Sequence, residues 1–363
     1  MKTHNEKKLL MMRIVLFVLT IVLFSCQNQQ SNKAVMPLPQ SIIADSVDRT
    51  NNFFENEDSV SIKMTQLEIA GEVQNPGTVD LSRLPIHTII VKETLPGEPQ
   101  NKFVGAYRYD GYSLLDILNG CVLDKKNQED FQPIIDMYVV IENEAGEKCV
   151  ISWGEIYYPN HLHEIIIAKS VMRIVPSKTH ELWPIPENSK VVVGTDLLTS
   201  RNIEKPVKIT VKSAVCNLKI NKGMQPMFAP KVDFVEDDVI KLTLAKQPQN
   251  LPLITYETTF YGRGRGIHST TPFTGFMIKN LLNGLFENSA ANIQRSYLVV
   301  GAIDGYRAVF TWSEIFNRND QAELLMIYDP ENQDGGAFRL FPAGDFFSDR
   351  AIKSVSTVFL ENE

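Results

Sequence analysis

The chain has 363 residues, 44% of them hydrophobic and 22% charged, with a formal net charge of −7. That apolar share suffices for packed cores, and the acidic balance excludes a nucleic-acid binder, whose affinity comes largely from basic contacts to phosphate. Four cysteines, at positions 26, 121, 149 and 216 and without CxxC spacing, give neither a disulfide framework nor a zinc site.

Residues 1–25 read as a signal peptide. Lys2, Lys7, Lys8 and Arg13 precede an apolar run, Ile14–Phe24, that is shorter than the roughly 20 residues of a membrane span. Leu23-Phe24-Ser25-Cys26 is similar to a bacterial lipobox. The resemblance implies lipidation of Cys26 and a membrane anchor that does not span. Gln27–Gln30 has no aspartate, which resembles outer-membrane sorting. The expected place is the cell envelope, on the periplasmic or surface face. Residues 26–62 are rich in Gln, Asn and Ser without sustained periodicity and read as a flexible tether. Loss of residues 1–25 takes the formal charge from −7 to −10, since four basic residues and Glu6 leave with them.

Residues 63–213 read as a first domain. Strand character is predicted at Leu67–Val73, Thr88–Val91, Met137–Ile141, Cys149–Ser152, Ile165–Ala168, Val191–Val193 and Val207–Val211. A short helix is predicted over Ser113–Leu118, ended by Asn119-Gly120, and another turn of helix opens at Trp153. Residues 214–236 read as a linker and 237–363 as a second domain, with strands at Ile240–Leu244, Ile254–Thr258, Tyr297–Val300, Ala308–Thr311, Leu324–Ile327, Arg339–Phe341 and Ser354–Leu360. The expected fold class is α+β, mostly β.

The second domain is a copy of the first. Residues 138–169 recur without a gap as 297–328, with Tyr138/Tyr297, Gly146/Gly305, Val150/Val309, Trp153/Trp312 and Glu155/Glu314 in register at an offset of 159. Upstream, Glu93-Thr94 and Gly111 match Glu257-Thr258 and Gly275 at an offset of 164; downstream, Asp196–Ile203 matches Asp345–Ile352 at 149. A period near 150 residues means two domains, because solenoid repeats run roughly 20–50.

Three groups of residues carry chemistry. Tyr261–Thr271 alternates Gly262, Gly264 and Gly266 with Arg263 and Arg265 and adds His268 and Thr270, freeing the backbone to approach a ligand and offering forked donors to phosphate or carboxylate. Arg339, Asp345 and Arg350 correspond to Lys190, Asp196 and Arg201. Arg339 and Arg350 join the candidate ligand set, while the Asp/Arg spacing of five in both copies also reads as an intradomain ion pair or a turn. His161 and His163, two apart, would share one face of a strand as metal ligands, although the second copy has Asp320 and Ala322 there. No P-loop, Gly-x-Ser-x-Gly elbow or HExxH is present, and no catalytic residue is assigned.

With these landmarks placed, the chain resembles the oxidoreductase molybdopterin-binding domain of the sulfite oxidase superfamily, twice over. The resemblance is carried by Leu67–Pro85 with its Asn75-Pro76-Gly77 turn, the helices after Gly111 and Gly275, Asp304-Gly305-Tyr306, and Gly336–Pro342. Members of that family ligate molybdenum through one cysteine on the loop after the strand that here is expected to end in Ile89-Ile90-Val91. At that place stand Glu93-Thr94 in the first copy and Glu257-Thr258 in the second, neither with a cysteine within ten residues. The resemblance therefore implies the scaffold without its metal-ligating thiolate. The expected function is a lipid-anchored extracytoplasmic binding protein for a small anionic or pterin-like ligand, without a cofactor. The alternatives are a molybdopterin-dependent oxidoreductase and a structural adaptor for an outer-membrane protein partner in transport or secretion.

Overall fold

The computed structural model describes residues 57–363. The expected leader, Cys26 and most of the expected tether lie outside the described residues. Among the described residues no helix is long and apolar enough to cross a membrane.

The first repeat runs β1 (Val60–Ser61), β2 (Glu68–Gly71), β3 (Gly77–Thr78), β4 (Ile86–Leu95), β5 (Lys102–Ser113), α1 (Leu114–Asn119), β6 (Met137–Asn143), β7 (Lys148–Ser152), α2 (Trp153–Tyr157), β8 (Ile165–Arg173), β9 (Val191–Val193) and β10 (Pro206–Ser213). The second runs β11 (Val232–Glu236), β12 (Val239–Leu244), β13 (Leu253–Tyr256), β14 (Phe260–Gly262), β15 (Gly266–Ser269), β16 (Phe273–Met277), α3 (Ile278–Leu282), α4 (Ala290–Arg295), β17 (Ser296–Ala302), β18 (Arg307–Thr311), α5 (Trp312–Phe316), β19 (Leu324–Tyr328), β20 (Phe338–Pro342) and β21 (Val355–Asn362). The fold is α+β and mostly β.

Sheet order repeats with the sequence. One sheet of the first repeat is ordered β3-β2-β10-β6-β7 and its counterpart β12-β11-β21-β17-β18, each with a single parallel pair, β2 with β10 and β11 with β21. The other is β4-β5-β8-β9, with β1 on the far side of β8, and its counterpart is β13-β16-β19-β20. Two expected boundaries shift. Strand β1 lies within the stretch expected as tether and Ile62 is buried, while β11 lies within the expected linker and pairs with β21 of the second repeat.

The longest strand, β5, was not among the predicted strands, and the reason is physical. Its two interior glycines weaken a strand signal, yet a Cβ on Gly111 would stand 2.3 Å from the Ile167 carbonyl oxygen and one on Gly105 would stand 2.7 Å from Trp183 Cβ. Close approach demands glycine there. The glycine is repeated at Gly275, where a Cβ would meet the Met326 carbonyl oxygen at 2.5 Å.

Strands β6 and β17 read as unbroken apolar runs because both of their faces are buried. Met137, Val139 and Ile141 point into the first repeat's core, with Leu114, Ile117 and Trp153; Leu298 and Val300 point into the second's, with Phe276 and Trp312. The opposite faces meet each other. Tyr138, Val140 and Val150 pack on Tyr297, Val299 and Val309 in one cluster, and the described residues belong to a single compact unit.

This contact is isologous, as a two-fold relation requires. Each repeat ends its second core strand in a capping box, Ser152 with Glu155 and Thr311 with Glu314. Across the junction Ser152 Oγ donates to Glu314 at 2.7 Å and Thr311 Oγ1 to Glu155 at 2.9 Å. Arg201 pairs with Asp196 and Glu155 at 2.6 and 2.7 Å; Arg350 pairs with Asp345 and Glu314 at 2.6 and 2.8 Å. Both guanidiniums are buried, and Arg350 Nη1 also donates to Ser152 at 3.3 Å. Burial pushes the Glu314 carboxyl above the ordinary range despite Arg350. At Glu155 the Arg201 charge and its hydrogen bonds outweigh burial and hold the carboxyl low.

Candidate functional site

The outer face of the first repeat's β4-β5-β8-β9 sheet is covered. The insertion between β8 and β9 lays Trp183 and Ile185 over Ile89, Val91, Tyr107 and Tyr109, and Trp183 Nε1 donates to the Ile174 carbonyl at 3.0 Å. The second repeat is ten residues shorter here, so among the described residues the same face, carrying Ile327, Phe341 and Phe273, has only the β14–β15 hairpin above it. A cleft of about 450 Å³ remains.

The hairpin is the Gly-Arg segment. Gly262 pairs with Gly266, whose φ of +75° makes the turn, and places Arg263 and Arg265 at the tip. A Cβ on Gly262 would lie 2.4 Å from His268 Nε2, so glycine lets the imidazole lie against the strand. Arg263, Arg265, His268 and Arg339 all line the cleft. Thr270 is exposed and is not among the lining residues. Arg350 does not line it either: it is committed to Asp345 and Glu314 in the buried junction, so its expected ligand role is corrected to a structural one.

Residues outside the candidate ligand set complete the cleft, among them Asp304, Tyr306 and Phe341 of the two segments that carry the resemblance. Phe260, Phe273 and Phe341 form an aromatic floor, with Phe273 and Phe341 edge to face at 4.7 Å. Lys353, Asp304 and Asp349 join the rim, giving four basic and two acidic side chains. Arg263 reaches Asp349 at 3.5 Å and is itself more than half exposed, whereas Arg265 has no ion pair among the described residues. The Tyr306 hydroxyl donates to the Asp349 carbonyl at 2.6 Å, and burial raises its pKa. These residues come from separate strands and loops, so no single local spacing brings them together.

Arg339 and Lys190 are equivalent by sheet register: Ile165 pairs with Val193 and Leu324 with Pro342, at offsets of 159 and 149. Lys190 is buried and pairs with Glu93 at 2.9 Å; Glu93 also accepts from the Tyr109 hydroxyl at 2.9 Å. Among the described residues Arg339 has only a 3.6 Å approach to the half-exposed Asp329, and its Nε is buried without a hydrogen-bond partner. The expected match of Glu93 with Glu257 does not hold in space. Gly111 pairs with His87 but Gly275 with Ile254, so strand β13 is displaced by three residues and Glu257 falls at the exposed position of Ile90. Glu93 and Thr94 also lie inside β4 rather than on a loop after it, while Glu257 and Thr258 follow β13.

A molybdenum centre of the usual kind does not fit these residues, because it needs an anionic thiolate. Cys149 is fully buried in the first core, where burial pushes its thiol up to about 12. Cys121 and Cys216 are also shifted up by burial, and none of the three lines the cleft. Cys121 instead borders a second cavity of about 300 Å³ with Trp153, Tyr158 and Phe347, which is mainly apolar and shares only Arg263 with the first.

His161 and His163 lie on a loop before β8 rather than on one face of a strand. His161 is exposed; His163 turns inward to Ser113, Asp116 and His87.

No protein-family model matches the chain, and no curated protein or solved structure is significantly similar to it.

Proposed function

We propose that this chain is a lipid-anchored binding protein of the cell envelope, built on two sulfite oxidase-type domains, that holds a small anionic ring-bearing ligand of pterin type in the cleft of its second repeat. The observation that carries this reading is Arg339, a guanidinium with a buried, unpartnered Nε on the wall of an open cleft. The side chain is 26% exposed beside the cleft, and a guanidinium there offers an anionic ligand group charge-assisted hydrogen bonds. The aromatic floor suits a flat ring, and Arg263, Arg265 and His268 on the rim suit an anionic substituent. The lipobox-like Leu23–Cys26 supports the anchor. The order of Asn75-Pro76-Gly77, Asp304-Gly305-Tyr306 and Gly336–Pro342 supports the scaffold.

Binding rather than catalysis is favoured because no cysteine lines the cleft to supply a thiolate for metal. The test is to express the chain in a molybdenum-replete host that makes pterin cofactor, then measure molybdenum and released pterin per chain. Pterin or a related anion without molybdenum supports the proposal. Near-stoichiometric molybdenum overturns it in favour of an oxidoreductase.

A further inference from the structure

Three side chains far apart in sequence converge in the first repeat, away from the cleft. His87 stands on β4 opposite Gly111, Asp116 lies in the first turn of α1, and His163 sits on the loop before β8. His87 Nε2 lies 2.7 Å and His163 Nδ1 3.6 Å from the same oxygen, Asp116 Oδ2, and all three ligand atoms lie within 4.8 Å of one another. The two imidazoles are 3.9 Å apart and nearly parallel.

We propose that His87, Asp116 and His163 form a site for a borderline transition-metal dication, zinc being the type ion, with one coordination position left open. Metal–ligand bonds of roughly 2.0–2.2 Å in tetrahedral geometry place ligand atoms roughly 3.3–3.5 Å apart. The two distances to Asp116, 2.7 and 3.6 Å, bracket that value, and the imidazoles must turn out of their parallel stack for both ring nitrogens to face one ion. Two imidazoles and one carboxylate select zinc, cobalt, nickel or copper(II) over calcium and magnesium, which take oxygen ligands, and over copper(I), which takes sulfur.

The ligands are held by ordered elements. Helix α1 is fixed by buried Leu114, Ile117 and Leu118, β4 pairs with β5 along its length, and buried Ile165 stands two residues after His163. The Ser113 hydroxyl, 3.0 Å from His163 Nδ1, caps α1 and stands beside the site. The side chains are partly buried, from 17% to 31% exposed, which shields the ion while leaving a path to solvent.

The set is not a requirement of the scaffold. The second repeat has the same strand, helix and loop, but its register equivalents are Ile254, Asn280 and Ala322. One copy of the fold therefore stands without these ligands, which separates the cluster from the packing that both copies share.

The test uses the full chain with cobalt(II) as spectroscopic probe and zinc as competitor. The wild type should bind one equivalent of cobalt with the visible bands of a tetrahedral ion, and zinc should displace it. H87A, H163A and D116N should each lose the bands and weaken zinc binding by about tenfold or more, the low end of what even outer-shell changes cost. Melting curves without metal check that each variant is folded; H163A, on a loop, is the variant least able to disturb the core. Bands that persist in both H87A and H163A, or a wild type that binds no equivalent of either metal, overturn the proposal.

Discussion

Arg339 occupies in the second repeat the place of Lys190 in the first, but the Glu93 carboxylate that closes on Lys190 at 2.9 Å has no counterpart at Arg339. One duplicated position thus serves as a sealed ion pair in one copy and as an open cation in the other. Stability should separate them. E93Q leaves the Lys190 ammonium buried without its partner and should cost about 3 kcal/mol, whereas R339Q should change stability by less than about 1 kcal/mol. Urea denaturation of the two variants checks both values.

Arg201 and Arg350 hold the junction between the repeats. Each sits among two carboxylates with its guanidinium buried, so R201A or R350A abandons a buried acidic pair and should cost about 3–5 kcal/mol. The cost of R350A should appear in unfolding free energy while ligand affinity of the folded cleft stays unchanged. A selective loss of affinity in a fully stable R350A protein would return this residue to the binding site.

Glu314 predicts a pH dependence. Burial raises its pKa in the folded protein up to about 7, above the value near 4.5 of an exposed glutamate. Between those values the folded state binds a proton that the unfolded state releases, so this group's contribution to stability falls as pH rises from about 4.5 to 7. E314Q abolishes that contribution. Thermal melting of wild type and E314Q between pH 5 and 7.5 should show the two curves converging toward acid and the wild type losing ground toward neutral.

Glycines 111 and 275 are demanded by strand approach rather than by a turn. G111A forces a methyl against the Ile167 carbonyl oxygen and G275A one against that of Met326, at 2.3 and 2.5 Å before relaxation. Backbone cannot rotate away as a side chain can. Each change should cost about 2–3 kcal/mol, in the range of overpacked cores, as read by chemical denaturation.

The duplication was legible because its most regular stretch, residues 138–169 and 297–328, builds the strands buried on both faces, where apolar identity is under the tightest packing demand. The mostly β class followed from the same runs. Strand β5 was hidden by Gly105 and Gly111, and β11 by its place in a stretch of loop composition. The Gly-Arg hairpin was visible as local sequence, and the structure brings Arg263, Arg265, His268 and Arg339 to one cleft. Its floor was not visible, since Phe260, Phe273 and Phe341 meet only through sheet pairing. Arg350 misled because an arginine beside a ligand segment and an arginine inside a buried ion pair look alike in sequence. The three-residue shift of β13 likewise left the Glu-Thr match intact in sequence while separating Glu93 from Glu257 in space.

If Arg339 anchors a ligand site, fluorescence titration of the full chain with pterin-6-carboxylate separates wild type from R339A. Saturable binding by the wild type, weakened in R339A by about tenfold or more at an unchanged melting temperature, is the expected result, matching the roughly 1.5–3 kcal/mol of a hydrogen bond to a charged group. Equal affinity of the two proteins would remove Arg339 from the site, and no saturable binding by the wild type would remove the pterin-type ligand from the cleft.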